Sequence, residues 1–184
     1  TDTLGTALAL TNYVSPTPAA PTTVAVTSAV SISNKVIEVK LDADVDAPTA
    51  VNVEQFMVKD AADAAVVVTA AKFAPWDSKN KTVLVTLETG LTAGTLYSVT
   101  SGDTVANFGG IAAETNKPTA TVAGKDFNEI TVTFNEAIET PFTMTIAEKY
   151  GDKAELTVLS IEQTAKDTFK VMTSDQKGAT LYTT

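Results

Sequence analysis

The stretch "IEVKLDADVDAP", from Ile37 to Pro48, is followed 93 residues later by "ITVTFNEAIETP", from Ile130 to Pro141. Aligned without a gap, the two stretches share their apolar positions, two of their polar positions and the final proline. Chance can match a few apolar residues, but it rarely matches all of these features together. The repetition predicts that the chain contains one structural module twice.

Apolar and polar residues alternate within each copy of this stretch. Three apolar residues alternate with charged residues in the first copy and with threonines in the second. A period of two is typical of a strand with one buried face. About seven such segments in the first copy, separated by turns, predict a β-sandwich, with "ANFGGIA" as one more turn. The predicted core residues are Ile37, Val39, Leu41, Phe56, Val85, Ile130, Val132 and Phe134.

A proline-rich segment separates the beginning of the chain from the repeated modules. The segment "SPTPAAPTT" contains Pro16, Pro18 and Pro21, and such a sequence favours an extended, semi-rigid linker. We therefore divide the chain into an N-terminal strand with its linker, 1–22, a first sandwich, 23–115, and a second sandwich, 116–184. The second copy ends soon after "GATLY", the counterpart of "GTLY", so it is predicted to lack its last strand.

The two ends of the sequence allow two interpretations. Residues 1–14 contain a short apolar stretch in which Leu4, Leu8 and Leu10 share one parity of a strand. In one interpretation, the sequence is a fragment cut from a longer chain. In the other, the N-terminal strand of one subunit completes the open sandwich of the next.

Composition argues against several classes of function. The chain has no Cys and no His, and all 13 basic residues are Lys, so the usual general base and transition-metal ligand are missing. The acidic pair Glu136 and Glu139 resembles glycosidase chemistry, but no substrate cleft is indicated. A net charge of −9 disfavours nucleic acid and anionic membranes, and no apolar run is long enough to span a bilayer. We expect no catalytic residues, no nucleic-acid partner and no membrane insertion.

Motifs in both copies match one protein family. In the first copy they are "KVIEVKLDADVD", "VNVEQFMVKDAADAAV" and "LTAGTLYSVT", and in the second "ETNKPTATVAGKDFNEITVTFNEAI". Residues 24–184 thereby resemble the tandem immunoglobulin-like modules of bacterial surface-layer (S-layer) proteins. The matched positions of the family's hairpin and turn motifs are Phe56, Val58, Lys59, Asp60, Leu91, Gly94, Thr95 and Tyr97. The second copy keeps Gly178, Leu181 and Tyr182 but departs from the hairpin motif.

This resemblance implies an all-β fold of tandem immunoglobulin-like β-sandwiches, the second lacking its last strand. It also implies a secreted, non-catalytic building block of a self-assembling layer at the cell surface. The partners would be copies of itself or neighbouring modules of the same chain, with attachment to the cell wall through domains not present here. The alternatives are an adhesin or carbohydrate-associated binding module, or a subunit of an extracellular filament or phage particle assembled by strand donation.

An acidic loop follows the repeated strand. Asp42, Asp44 and Asp46 share the outward parity of that strand, so their carboxylates are predicted to cluster at one end of the sandwich. Calcium takes six to eight oxygen ligands, and S-layer modules often bind it, so Ca²⁺ is the one cofactor we expect. A solvated acidic loop is the alternative. The matching residues of the second copy are Asn135, Glu136 and Glu139.

Three aromatic residues are candidates for a structural or binding role. Trp76 is the only tryptophan and lies in a predicted loop near Phe73, where it can fold back onto the sandwich, contact another subunit or bind a sugar. Tyr97 and Tyr182 each follow a glycine-containing turn. Their position predicts a hydrogen bond between the hydroxyl and nearby backbone, as in a tyrosine corner.

Overall fold

The structure is a computed structural model that describes residues 24–45, 51–138, 142–150, 152–178, 180 and 182–183. Within these ranges the regular secondary structure is fifteen β-strands and a 3₁₀ helix, Val53–Gln55. The predicted all-β class is confirmed. In the same ranges, no helix has the length and apolar character needed to cross a bilayer.

The first eight strands form two antiparallel sheets that pack into a first sandwich. They are β1 (Val26–Ser31), β2 (Val36–Leu41), β3 (Met57–Asp60), β4 (Ala65–Val66), β5 (Val68–Phe73), β6 (Thr82–Leu87), β7 (Leu96–Ser101) and β8 (Thr104–Gly109). One sheet has the order β1-β2-β6-β5, and the other has the order β4-β3-β7-β8.

The remaining strands repeat this arrangement as a second sandwich. They are β9 (Ala120–Asp126), β10 (Glu129–Phe134), β11 (Ile146–Glu148), β12 (Glu155–Leu156), β13 (Val158–Gln163), β14 (Thr168–Thr173) and β15 (Tyr182–Thr183). The sheet β9-β10-β14-β13 corresponds to β1-β2-β6-β5, and the sheet β12-β11-β15 corresponds to β4-β3-β7. The sequence repeat is therefore also a repeat of topology. The boundaries 23–115 and 116–184 stay a prediction.

Each sandwich has its own apolar core, built largely from the residues that alternate along the strands. Seven of the eight predicted core residues are buried, and the eighth, Phe134, is half-buried against the second core. Phe134 makes edge-to-face contacts with Phe142 and Phe169, with ring centroids 5.4 and 5.8 Å away. Full burial of one large apolar side chain, such as Ile, Val, Leu or Phe, stabilises the fold by roughly 1.5–3 kcal/mol.

Two local predictions were wrong. The segment "ANFGGIA" was predicted as a turn, but most of it belongs to β8, because Ala106 and Phe108 alternate into the core. The segment from Val66 to Val68 was predicted as one strand, but the chain changes sheets there. Val66 pairs with β3, whereas Val68 pairs with β6.

The same change of sheet occurs in the second sandwich. Leu156 pairs with β11, and Val158, two residues later, pairs with β14. Such a corner lets one chain segment contribute to both faces of a sandwich. Val66, Val68, Leu156 and Val158 all pack against the cores, so the corner ties the two layers of each sandwich together.

The burial of Val132 leads to a test of strand parity. Val132 is 2% exposed and lies opposite Phe169. The Val132→Asp substitution should remove the cooperative thermal unfolding of the second sandwich, because an unpaired buried carboxylate costs several kcal/mol. The matched control is Leu159→Asp on β13, where the side chain is 64% exposed and the change should leave the melting curve unaltered. A Val132→Asp protein that melts like the parent would show that the assigned parity is wrong.

Candidate functional site

The acidic loop that follows β2 is arranged differently from the predicted alternation. The strand ends at Leu41, so strand parity does not place Asp42 and Asp44, and both are exposed. The Asp44 carboxylate instead lies 3.9 Å from the Lys79 ammonium and 3.5 Å from the Lys81 ammonium. Two lysines therefore offset the charge of the Asp44 carboxylate.

Calcium binding at this loop stays a prediction. In the ranges that the structure describes, no group of three or more acidic side chains is placed to hold a metal ion. Asp46, the third predicted ligand, lies outside those ranges, as does Glu139 in the second copy. In the second copy, the Asn135 side chain accepts a hydrogen bond of 2.8 Å from the Thr119 N–H, so it holds the incoming chain in place.

One apolar residue within each acidic loop is anchored in the same way. The Val45 N–H donates to the Lys79 carbonyl over 3.1 Å, and the Asn80 side chain donates to the Val45 carbonyl over 2.9 Å. In the second sandwich, the Ile138 N–H donates to the Lys166 carbonyl over 3.0 Å. The Gln163 side chain donates to the Ile138 carbonyl over 3.3 Å. Both loops are thereby attached to the loop that joins the strands of the adjacent hairpin.

Trp76 packs back onto its own sandwich, as one of its three interpretations predicted. Its half-buried ring lies against a small cluster on the outer face of the first sheet, formed by Val36, Ala74 and Leu84. The loop is shaped by Asp77, whose carboxylate accepts a hydrogen bond from the Thr82 hydroxyl. Burial raises the pKa of Asp77, but hydrogen bonds from Thr82 and the Lys79 N–H outweigh it, so the pKa lies below its ordinary value.

Residues of both sandwiches line a cavity of about 40 Å³ beside this apolar cluster, and we call this place the joint. A space of this size suits a water molecule or two and is far below the ~300 Å³ of a small-molecule site. The first sandwich lines the joint with apolar and polar residues: Ile32, Ser33, Val36, Lys72, Trp76, Leu84 and Thr86. The second sandwich lines it with Ala137, Ile138, Gln163 and Lys166.

The two tyrosines make the predicted backbone hydrogen bonds. The Tyr97 hydroxyl accepts a bond of 2.9 Å from the Thr92 N–H. The Tyr182 hydroxyl accepts a bond of the same length from the Lys177 N–H. In each case the donor lies five residues before the tyrosine, so the bond closes the turn that leads into β7 or β15. Both tyrosines are therefore structural elements of the repeat.

The structure contains one ion pair that the sequence pattern does not predict. The Glu148 carboxylate is buried and lies 2.6 Å from the Lys177 ammonium. The hydrogen bond and the charge of Glu148 raise the pKa of Lys177. These residues are 29 positions apart, and only the pairing of β11 with β15 brings their segments together.

The comparisons with known proteins identify no family. No protein-family model matches this chain, and neither does any curated protein. Solved structures are similar to it at low identity. Domains 1–6 of the surface layer protein SbsC are 15% identical with a TM-score of 0.47, over 87% of this chain and 25% of that chain. The chain thus spans about a quarter of that S-layer structure.

Two enzymes are also similar in structure. The pullulanase SAP of Group B Streptococcus is 10% identical with a TM-score of 0.36, over 80% of this chain and 19% of that one. An L,D-transpeptidase from Mycobacterium tuberculosis H37Rv is 17% identical with a TM-score of 0.31, over 86% and 78%. Because the TM-scores of these three structures are all below 0.5, the similarities do not indicate a function.

The Glu148–Lys177 pair predicts a dependence of stability on alkaline pH. Because the folded state raises the pKa of Lys177, the pair stabilises the fold below the ordinary lysine pKa, and this stabilisation is lost as pH rises through the raised pKa. Glu148→Gln should therefore lower the melting temperature near neutral pH, and the difference from the parent should shrink at strongly alkaline pH. Glu155→Gln, at an exposed position of β12, is the control and should show no such trend. A pH-independent difference for Glu148→Gln would contradict the assignment.

The calcium prediction is tested by thermal melting with added Ca²⁺. A bound ion stabilises the native state by mass action, by about 2.7 kcal/mol at a hundredfold excess over its dissociation constant. Changing Asp42, Asp44 and Asp46 together to Asn should remove the calcium-dependent rise in melting temperature. Asp103→Asn, in an exposed turn, should retain it. If Ca²⁺ leaves the melting temperature of the parent unchanged, the loop is only a solvated acidic segment.

Proposed function

We propose that this chain is a non-catalytic structural module of a self-assembling bacterial surface layer, located outside the cell. The observation that supports this proposal is that the residues of the family motifs serve structural roles in the sandwich. The motif residues form core and turn positions of the first sandwich, and the second sandwich repeats its topology. The contacts described below are contacts within the fold. Cell-wall attachment would then depend on other domains.

The hairpin motif illustrates this structural use. The Asp60 carboxylate accepts hydrogen bonds of 2.9 Å from the Ala62 and Ala64 N–H groups, which shapes the turn between β3 and β4. Lys59, next to it, pairs with Asp63 over 2.8 Å. Phe56 and Val58 of the same motif are buried in the first core. The motif thus specifies a hairpin and its attachment to the core.

The motif residues of the turn before β7 also have structural roles. Gly94 adopts a positive φ of 77°, a conformation that favours glycine. Its N–H donates to the Gly110 carbonyl over 3.1 Å, and Leu91 and Tyr97 are buried on either side. The backbone bond joins the segment before β7 to the segment after β8, and the two buried side chains attach this end of the hairpin to the first core. A rigid unit of this kind suits a lattice, in which each copy must present its surfaces in a fixed arrangement.

The joint between the sandwiches supports the same proposal. Ile138, held in place by Gln163, faces the cluster that contains Trp76 and Leu84. Side chains of both sandwiches are thereby brought together around one cavity. The same geometry weakens the carbohydrate-binding alternative, because the Trp76 ring is engaged by its own sheet.

Electron microscopy tests the proposed function. The purified chain, concentrated with and without calcium, should form ordered sheets or filaments. The Val132→Asp variant should not, because its second sandwich is misfolded. A chain that stays monomeric at every concentration would contradict the proposal. Binding to particular glycans on an array, lost in Trp76→Ala, would favour the adhesin alternative instead.

A further inference from the structure

The outer face of the first sheet carries apolar residues, although the outer face of an antiparallel sheet is commonly polar and solvated. Val36 and Leu84 alternate with the core residues of β2 and β6, so both point away from the first core. They are nevertheless buried, at 3% and 7% exposure, as is Ala74 at 2%. Ile32 and Trp76 pack against these three residues. We call the five residues the outer cluster.

The second sandwich has charged residues at matching positions of its strands. The strand pairings place Glu129 at the position of Val36, and Lys170 at the position of Leu84. Lys170 forms an ion pair with Glu162 on this face. The repeated fold therefore does not require an apolar outer face, and the outer cluster distinguishes the first sandwich from the second.

The loop that carries Trp76 also distinguishes the first sandwich. Nine residues separate the paired Phe73 and Val83, whereas five separate the paired Gln163 and Phe169 of the second sandwich. The longer loop places Trp76 on the outer cluster. An apolar surface that is built outside the core in this way is typical of a contact with another folded unit.

The second sandwich presents Ile138 beside the outer cluster. Ile138 lines the joint, as does Trp76. Its counterpart in the repeat, Val45, packs against the first core, whereas Ile138 is not among the described side chains that pack against either large core. The Ile138 N–H donates to the Lys166 carbonyl over 3.0 Å, and the Gln163 side chain donates to the Ile138 carbonyl over 3.3 Å. These bonds fix the backbone from which the Ile138 side chain extends.

We infer that the outer cluster is the docking surface for the second sandwich of the same chain. Ile138 is the apolar anchor of this contact, and docking holds the two sandwiches as one rigid unit. This inference goes beyond the proposed function and does not depend on it.

The segment between the sandwiches favours the same chain as the partner. Residues 111–119 are all exposed, and the Glu114 side chain accepts hydrogen bonds from its neighbours Thr115 and Asn116. Such a segment does not fix an orientation by itself. It keeps the second sandwich close to the first, however, and this high effective concentration makes a small apolar contact sufficient for docking. A second copy of the chain would lack this advantage.

Trp76 reports docking directly because it is the only tryptophan of the chain. Ile138→Asp places a charge at the apolar anchor, so the second sandwich should undock. Tryptophan emission should then move to longer wavelength, and acrylamide should quench it more strongly than in the parent. Two controls should match the parent: Ile138→Val, which keeps an apolar anchor, and Leu159→Asp, which lies on the same sandwich but does not line the joint. Unchanged emission and quenching in Ile138→Asp overturns the inference.

The Val132→Asp variant removes the docking partner by a different route. Val132 lies in the second core, and the substitution should disrupt the second sandwich while leaving the first one folded. Trp76 should become as accessible to acrylamide as in Ile138→Asp. A variant whose tryptophan spectrum and quenching equal those of the parent would show that the second sandwich does not cover Trp76, which overturns the inference.

Cross-linking of the parent tests the same contact without a substitution. Lys72 and Lys166 are exposed and line the joint, one from each sandwich. A short amine-reactive cross-linker should join them, and mass spectrometry should detect this link at much higher yield than a link from Lys72 to Lys153. Lys153 is the control because it is exposed on the second sandwich but does not line the joint. The Lys72–Lys166 link should be lost in Ile138→Asp.

A mixture of ordinary and isotope-labelled chains identifies which chain supplies the docked sandwich. Links within one chain join two peptides of the same isotope content, whereas docking onto a second copy also produces links between a labelled and an unlabelled peptide. Lys72–Lys166 links should be almost entirely of the first kind. Mixed links at the statistical frequency, no Lys72–Lys166 link in the parent, or an equal yield of Lys72–Lys153 links overturns the inference.

Discussion

Burial of one face of each four-stranded sheet is the constraint on which the other features depend. The inner strands β2 and β10 place Val39 and Val132 at or near zero exposure, each between two hydrogen-bonded neighbours. A shift of one residue in either strand would exchange its buried and exposed side chains. The register of these strands therefore determines which side chains are buried and which are exposed to form turns and surfaces.

The two sandwiches share this core geometry but fill it differently. The first core has Leu41 and Val83 near one end, whereas the second has Phe134 and Phe169 on the corresponding strands, together with Phe142. Interiors pack densely, so larger side chains need a rearranged surrounding loop. The copies thus keep topology and tyrosine bonds while their loops and surfaces diverge.

The differences between the surfaces of the two sandwiches bear on the proposed assembly. The first sandwich has an apolar outer cluster around Trp76, and Ile138 of the second sandwich lines the same cavity as this cluster. The second sandwich instead carries the Glu162–Lys170 ion pair on the matching outer face. One repeated fold therefore presents two different surfaces. Such asymmetry suits a unit that joins to its neighbours in a fixed direction.

The sequence alone determined the all-β class, the repeat, most of the core and both tyrosine bonds. These features depend on short-range patterns, such as period-two alternation and a tyrosine five residues after its partner. The tertiary structure alone decided the sheet change at Val67, the pairing of Asp44 with Lys79 and Lys81, and the pairing of Glu148 with Lys177. Each of these depends on which distant segments become neighbours, and a pattern along one strand carries no information about its partners across the sandwich.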